Sequence, residues 1–275
     1  QAMRNAVYVT AARPATAIYI ASPEGDTGKS TVALGILHRL TAMVPRAGVF
    51  RPITRREDRD YILELLLAHS NAGLTYDDCV GVSYQQLHED PEAAIADIVD
   101  RYHAMAARCD AVVIVGSDYT DVATPTELSV NARIAVNLGA PVVLSVRARD
   151  RTPAEVAQVI GLCLAELAAQ HAHTAAVVAN RCDPAQMSAV EGACADLGPH
   201  VYVLPEEPLL VAPTVGDLCG AVAGTLVHGD ESLLAREVMG VLVAGMTAEH
   251  VVERLTEGAA VASDAFFPFR DGLDV

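Results

Sequence analysis

The chain has 275 residues, of which 52% are hydrophobic and only 4% aromatic, and it contains no tryptophan. This length fits one large α/β domain with or without a small appendage, and a core of small aliphatic side chains suits buried parallel strands. The formal net charge of −16 argues against partners such as nucleic acid or anionic membrane surfaces. The six cysteines show no CxxC spacing, which is typical of reduced thiols in a cytoplasmic protein without a zinc site.

Short apolar runs alternate with longer helical patterns along most of the chain. Strands are predicted over Ala17–Ala21, Val49–Pro52, Ala111–Val115, Pro141–Val146, Ala175–Ala179 and Val201–Leu204. Helices are predicted over Lys29–Met43, Arg59–His69, Pro91–Arg108, Glu127–Leu138, Pro153–Ala169 and Pro184–Leu197. The alternation predicts an α/β fold in three layers, a doubly wound and mostly parallel sheet with helices on both faces.

The pattern changes near Leu226. Val238–Met246 and Thr247–Leu255 predict one more strand and helix, and Ser263–Val275 has no clear period although it carries three of the four phenylalanines. Residues 1–16 lack the layout of a signal peptide and are interpreted as a flexible leader. We therefore predict a main domain over residues 17–225 and a smaller appendage over residues 226–275.

Lys29 is the single lysine among the basic residues, and it lies in Gly28-Lys29-Ser30-Thr31. A predicted strand and a short loop precede this segment, and a predicted helix begins within it. The main-chain N–H groups of such a loop and the helix N-terminus form a concave anion site. Lys29 is expected to reach the outer phosphates of a nucleotide, and Ser30 to offer its hydroxyl to Mg²⁺.

The whole loop fits the P-loop pattern GxxxxGK[ST] with one departure, since Pro23 stands where the pattern has its first glycine. We expect Gly25 and Thr27, together with Gly28 and Thr31, to line the phosphate site. A glycine-rich helix start that binds no ligand is the alternative.

Mg²⁺ also prefers carboxylate ligands, and two aspartates are candidates. Asp60 lies near the start of the second predicted helix, and Asp118 follows the third predicted strand; each is otherwise a helix cap or turn residue. Arg51 ends the second predicted strand and could contact phosphate. Its alternative is a surface ion pair with Glu57 or Asp58.

Asn180-Arg181-Cys182-Asp183 follows the fifth predicted strand, at the sheet edge where α/β proteins bind ligands. An asparagine here can hydrogen-bond a purine edge, and the segment is similar to the base-reading N-K-x-D of GTPases with arginine in place of lysine. The alternative is a turn that leads into the helix at Pro184. The histidines are scattered, and no Ser/His/Asp or Cys/His catalytic group is predicted.

From about Ala17 to Leu255 the chain resembles the N-terminal region of long-form phosphate acetyltransferases, itself related to dethiobiotin synthetase and cobyric-acid-type P-loop proteins. The resemblance rests on an ordered set of segments: Ser22–Thr31, Gly48–Ile53, Asp110–Asp118, Glu127–Ser129, Gly139–Val142, Val177–Arg181 and Pro205–Val215. It implies a P-loop NTPase-like fold that binds ATP, or another nucleotide or phosphate, with Mg²⁺. Asp60 matches the first metal carboxylate of these relatives and Asn180 their purine-contacting asparagine.

Two positions depart from those relatives. Gly116-Ser117 stands where they have Glu-Gly before the second metal ligand, so Asp118 would have to replace that carboxylate. Arg51-Pro52 stands where they have Lys-Pro.

Phosphate acetyltransferases interconvert acetyl-CoA and phosphate with acetyl phosphate and CoA, and a C-terminal domain of that family carries the acyl transfer. The resemblance therefore implies a regulatory region that responds to a nucleotide or metabolite effector, supports self-association and does not transfer acetyl groups alone. Residues after 226 resemble the opening of a DRTGG-type module. Two alternatives remain: an autonomous ATP-dependent enzyme like dethiobiotin synthetase that uses Lys29, Ser30 and Asp60, and a degenerate P-loop scaffold for oligomer contacts.

Overall fold

The structure, a computed structural model, describes residues 15–55, 59–117 and 127–262. Two compact units divide the chain, Gln1–Glu206 and Glu207–Val275, and each is described by itself. Most of the predicted leader and the phenylalanine-rich segment Ser263–Val275 lie outside the described residues.

The described part of the first unit is built on a seven-stranded sheet. Its strands are β1 (Thr16–Ala21), β2 (Ala47–Thr54), β3 (Val80–Ser83), β4 (Ala111–Val115), β5 (Val142–Arg147), β6 (Thr174–Cys182) and β7 (Val201–Pro205). They pair in the order β3-β2-β4-β1-β5-β6-β7, and every pair is parallel. Because the strands are parallel, their carboxyl ends share one edge of the sheet, where ligand sites of α/β proteins form.

Helices connect these strands. They are α1 (Lys29–Thr41), α2 (Tyr61–His69), α3 (Tyr84–Glu89), α4 (Pro91–Ala106), α5 (Glu127–Asn137), α6 (Pro153–Ala169) and α7 (Met187–Cys194). The predicted α/β fold with a parallel sheet and helices is confirmed. The predicted helix over Pro184–Leu197 is instead a 3₁₀ turn at Pro184–Gln186 followed by α7, which ends at Cys194.

Local sequence explains where the longer helices begin. The Asp90 side chain accepts a hydrogen bond from the main-chain N–H of Ala93 at the start of α4, and Thr152 forms a capping box with Glu155 at the start of α6. Both helices have proline in the first turn, where its missing N–H costs nothing. The core lies between the sheet and these helices, and all five residues of β4 are buried.

The short elements β3 and α3 have no counterpart in the sequence prediction. β3 has only four residues, and a Cβ atom at Gly81 would approach the Pro52 carbonyl oxygen to 2.2 Å. Glycine therefore allows β3 to pair closely with β2, although it weakens the strand signal in the sequence.

The described part of the second unit is smaller and less buried. It contains α8 (Pro208–Val211), α9 (Val215–Ala221), a 3₁₀ turn (Glu231–Ala235), β8 (Gly240–Val243), α10 (Ala248–Val252) and β9 (Ala259–Ala262), and β8 pairs with β9 in parallel. The strand and helix predicted after residue 238 correspond to β8 and α10.

The second unit begins at Glu207, earlier than the boundary at residue 226 that the sequence pattern indicates. Hydrogen bonds account for the difference. The main-chain N–H of Val238 donates to the carbonyl of Pro213, and that of Val215 donates to the carbonyl of Arg236. Residues 213–215 are therefore bonded to residues 236–238.

Candidate nucleotide-binding site

The loop between β1 and α1 wraps around the single lysine. Ser22 and Thr27 are 1% exposed and Lys29 is 2% exposed. Asp26 and Gly28 both have positive φ, 58° and 70°, so the chain turns sharply before the helix. The loop thus has the backbone conformation that a nest of main-chain N–H groups requires.

The N-terminus of α1 is open to an anion. Gly28 is its N-cap residue and provides no side-chain cap, and the first turn has no acidic residue. The first hydrogen bond along the helix runs from the main-chain N–H of Val32 to the Gly28 carbonyl, so the preceding N–H groups have no partner within the helix. With the helix dipole of 13 residues behind them, these groups favour a phosphate.

The other predicted P-loop residues lie around this N-terminus. Gly25 and Thr31 are exposed, and Ser30 is half-buried beside Lys29. The structure therefore brings the predicted phosphate-binding residues together in one segment.

Three side chains from β5 and β6 donate hydrogen bonds to main-chain carbonyls of the loop. The Thr27 carbonyl accepts hydrogen bonds from Asn180 Nδ2 at 2.9 Å and from Ser145 Oγ at 3.1 Å. The Asp26 carbonyl accepts one from Arg181 Nη1 at 2.9 Å. We call Ser145, Asn180 and Arg181 the loop clasp. These hydrogen bonds fix the direction of the Asp26 and Thr27 carbonyls. The main-chain N–H groups of the loop are left to contact a ligand.

Asn180 is therefore placed against the P-loop. A Cβ atom at Gly28 would lie 2.2 Å from Asn180 Nδ2, so glycine is required here by this contact as well as by its positive φ. The amide nitrogen of Asn180 already donates to the Thr27 carbonyl. Asp183, the last residue of the GTPase-like segment, accepts from the main-chain N–H of Ala185 and begins the following 3₁₀ turn.

An arginine-rich rim surrounds the loop. Arg151 forms a bidentate ion pair with Glu24, with nitrogen–oxygen distances of 2.6 and 2.9 Å. The hydrogen bond to Glu24 raises the pKa of Arg151 above its usual value. Glu206 receives Arg149 at 3.0 Å and Arg181 at 2.9 Å. These pairs restrain both the loop and its clasp.

Arg51 and Asp60 form a buried ion pair. Arg51 Nε lies 3.0 Å from Asp60 Oδ2, and the two side chains are 2% and 7% exposed. Arg51 Nη1 also donates to the carbonyls of Val115, at 3.1 Å, and of Gly116 at the end of β4. Arg51 is buried and not at the surface, and Glu57 and Asp58, the partners considered for it, lie outside the described residues.

The Asp60 carboxylate contacts both α2 and Arg51. Its Oδ1 accepts from the main-chain N–H of Leu63 at 2.9 Å and caps α2, while its Oδ2 faces Arg51. The helix-cap role considered for Asp60 is therefore observed. Asp118, the other predicted metal ligand, lies outside the described residues.

The end of β4 is closed by a polar network that the sequence analysis missed. Tyr19 Oη donates to Asn131 Oδ1 at 2.7 Å, and Asn131 Nδ2 donates to the Ser117 carbonyl at 3.2 Å. A Cβ atom at Gly116 would lie 2.3 Å from Asn131 Oδ1 and 2.8 Å from the Tyr19 ring. The sequence signal for this network was Asn131, a polar residue on the buried face of α5.

Burial raises the pKa of the Tyr19 phenol far above its usual value, an effect that the nearby Arg51 charge opposes and the Glu127 charge reinforces. The phenol therefore stays protonated and acts as a hydrogen-bond donor.

A small cavity lies beside this network, with a volume of about 180 Å³. Its wall is mostly apolar and includes Ile53, Tyr84, Leu87 and Ile95, with His88, Ser117, Glu127 and Arg133 as polar groups. Ser117 is 1% exposed, and its hydroxyl has no hydrogen-bond partner among the described residues. The cavity can thus hold a molecule slightly larger than benzene, which fills an apolar cavity of about 150 Å³.

The described residues contain neither a cluster of metal-binding side chains nor a helix that could cross a membrane. Across residues 15–55, 59–117 and 127–262, no group of three or more His, Cys, Asp and Glu side chains could hold a metal ion. In the same ranges no helix is both long and apolar enough to cross a membrane.

The parallel sheet, the P-loop after β1 and the N-terminus of α1 define an α/β protein with the P-loop fold. A family model described as an AAA domain matches residues 16–214. The chain therefore belongs to this AAA domain family.

The chain is also homologous to phosphate acetyltransferases. It is 27% identical over 259 residues to the phosphate acetyltransferase of Nitratidesulfovibrio vulgaris, a match that covers 89% of this chain and 37% of that protein. It is 26% identical over 256 residues to that of Synechocystis sp., covering 88% of this chain and 36% of the relative. The chain thus spans little more than a third of the length of these curated relatives.

Solved structures share the overall fold at low similarity. A complex of Cyanothece McdA with ATP aligns with a TM-score of 0.45 at 12% identity, covering 71% of this chain and 85% of that one. MinD of Pyrococcus horikoshii, complexed with Mg-ADP, aligns with a TM-score of 0.44 at 15% identity, covering 71% and 83%. Likeness at this level carries no argument about function.

Proposed function

We propose that this chain is the nucleotide-binding, regulatory N-terminal portion of a phosphate acetyltransferase. The observation that carries the proposal is the open N-terminus of α1, with Lys29 enclosed beside it and the loop clasp behind it. Homology over 89% of this chain but 37% of the relative supports its place as one part of a larger enzyme.

The ligand of the site is ATP or another phosphate-bearing nucleotide. Lys29 and the main-chain N–H groups from Gly25 to Thr31 receive the phosphates, and Ser30 lies next to the outer phosphate. Asn180 orders the loop, and its Oδ1, which accepts no hydrogen bond from the described residues, is left to contact the ligand.

A metabolite effector would bind in the cavity at the end of β4. The cavity has the size for a small organic molecule, and the Ser117 hydroxyl offers an unused hydrogen bond within an apolar wall. Its wall includes Ile53 of β2 and Ser117, so an occupant would contact the same sheet edge as the P-loop.

The partners follow from the same proposal. Acyl transfer between acetyl-CoA and phosphate belongs to a C-terminal acyltransferase domain, and residues from about 226 begin a DRTGG-type module that precedes it. Self-association of this region supports assembly of the whole enzyme, which acts in the cytoplasm in acetate metabolism.

An activity assay tests the division of labour. The purified chain, mixed with acetyl-CoA and phosphate, is expected to form no acetyl phosphate above the background rate. Robust turnover would contradict the proposal, because the reaction would then be carried out by the residues of this chain.

A further inference from the structure

β6 carries a β-bulge at its carboxyl end, beside the P-loop. Its register with β7 shifts after Ala179, so that two residues, Asn180 and Arg181, stand opposite one residue of β7. Arg181 has a φ of 59°, in the left-handed region that residues with a Cβ atom rarely adopt. Bulges are frequent beside functional sites, where they redirect a side chain. A non-glycine residue keeps this conformation only when its surroundings hold it, so the contacts of Arg181 account for the bulge.

The bulge directs two consecutive side chains to the same loop. In a regular strand, consecutive residues point to opposite faces of the sheet. Here Asn180 Nδ2 donates to the Thr27 carbonyl at 2.9 Å. Arg181 Nη1 donates to the preceding carbonyl, that of Asp26, also at 2.9 Å. The N–H groups of these two peptides, those of Thr27 and Gly28, belong to the proposed phosphate site. An anion that accepts from a peptide N–H strengthens the hydrogen bond to the carbonyl of that peptide, so bound phosphate acts on Arg181 through the loop.

The Arg181 guanidinium also reaches Glu206. Its Nε donates to Glu206 Oε1 at 3.0 Å, and its Nη2 lies 2.9 Å from the same oxygen. Arg149 donates to this carboxylate as well, at 3.0 Å. The Arg181 and Glu206 side chains are only 17% and 22% exposed, so solvent screens their interaction less than that of a surface pair. Glu206 is the last residue of the first unit. One planar side chain thus connects the P-loop to the residue that directly precedes the second unit.

We propose that Arg181 is a positioning residue that couples a nucleotide on the P-loop to Glu206. Its rigid guanidinium fork meets both acceptors at once only while the Asp26 carbonyl keeps its present direction. Bound phosphates favour this arrangement, and the arrangement in turn restrains Glu206. Because coupling is reciprocal, the contact with Glu206 also favours nucleotide binding. The inference rests on the proposed nucleotide site and specifies how its occupancy is transmitted toward the second unit.

The direction of one affinity change separates this coupling from plain electrostatics. Glu206→Gln removes a negative charge, and electrostatics alone would therefore strengthen the binding of an anionic nucleotide. Loss of coupling has the opposite effect, because Arg181 and the Asp26 carbonyl are then less firmly held. Glu207→Gln is the matched control. It removes the adjacent carboxylate, which accepts from the main-chain N–H of Leu209 at the start of α8.

Isothermal titration calorimetry of ATP into the whole chain and its variants measures the effect. Glu206→Gln is expected to bind ATP about three- to tenfold more weakly, whereas Glu207→Gln should not bind more weakly. Arg181→Lys keeps the positive charge but lacks the planar fork that meets two acceptors. In that background, adding Glu206→Gln should cause no further loss of affinity, as a double-mutant cycle requires of a contact that acts through Arg181.

Hydrogen exchange followed by mass spectrometry gives the reciprocal measurement. The main-chain N–H of Glu206 donates to the Cys182 carbonyl at 2.9 Å, directly after the bulge. Saturating ATP is expected to slow exchange in the peptide that contains Glu206 more than in α4, which contributes no residue to the loop clasp. In Arg181→Lys this difference between the two peptides should disappear.

Several results would overturn the inference. Equal or stronger ATP binding by Glu206→Gln would do so and leave the proposed nucleotide site intact, as would a loss that persists unchanged in the Arg181→Lys background. No ATP binding to the unmodified chain would refute both proposals. Circular dichroism establishes that each variant is folded. Should Arg181→Lys fail to fold, the comparison of Glu206→Gln with Glu207→Gln and the exchange of the unmodified chain still decide the question.

Discussion

Removing the Arg51 guanidinium is expected to destabilise the first unit severely. Arg51→Met replaces the charge with an apolar side chain of similar length, so the loss reports the ion pair more than an empty cavity. It removes the Arg51 charge from beside the Asp60 carboxylate, which is only 7% exposed, and it removes the donor to the Val115 and Gly116 carbonyls. Breaking one partner of such a buried pair costs about 3–5 kcal/mol.

Urea unfolding followed by far-UV circular dichroism measures this loss, and a thermal scan should show a Tm lower by roughly 6–20 °C for a unit of this size. Arg46→Met is the control, since its pair with Asp110 is exposed and Arg46 directly precedes β2, the strand that carries Arg51. The double variant Arg51→Met with Asp60→Asn should be more stable than the sum of the two single changes predicts. An Arg51→Met protein as stable as the Arg46→Met control would refute this reasoning.

Three further outcomes are expected. Gly116→Ala should lower the free energy of unfolding by about 1–3 kcal/mol through overpacking. Gly35→Ala, in an open position within α1, should instead raise the free energy of unfolding by roughly 0.5–1 kcal/mol. Thermal denaturation of both variants measures the two effects. Burial raises the pKa of the Cys79 thiol to about 12, so a thiol reagent should modify the half-exposed Cys219 first, and equal rates would contradict this. Hydrogen bonds hold the pKa of Asp78 below its usual 3.8. The Asp78 carboxylate therefore stabilises the fold above that pH, and this stabilisation is lost as the pH falls. Asp78→Asn should lower Tm at neutral pH but not at strongly acidic pH.

Much of the fold was predictable because its signals are local. β4 reads as an uninterrupted apolar run, and α6 begins with a capping box and a proline in adjacent positions. The P-loop likewise lies in one continuous segment, so its strand, loop and helix could be placed from sequence alone.

The contacts that shape the site could not be predicted because they join distant parts of the chain. Asn180 and Thr27 are 153 positions apart, and Tyr19 and Asn131 are 112 apart. The burial of Arg51 could not be predicted from the sequence for the same reason. Arginine side chains are usually exposed, whereas this one is enclosed through its contacts with the carbonyls at the end of β4 and with Asp60, which caps α2.

The central claim is that Lys29 and the open N-terminus of α1 form a nucleotide site, and calorimetric titration of ATP into the chain and its Lys29→Ala variant tests it most directly. The account predicts saturable binding of about one ATP per chain, and at least a tenfold weaker affinity in the variant, because the ammonium group beside the phosphates is lost. Equal affinity of the two proteins, or no binding to the unmodified chain at millimolar ATP, would contradict it.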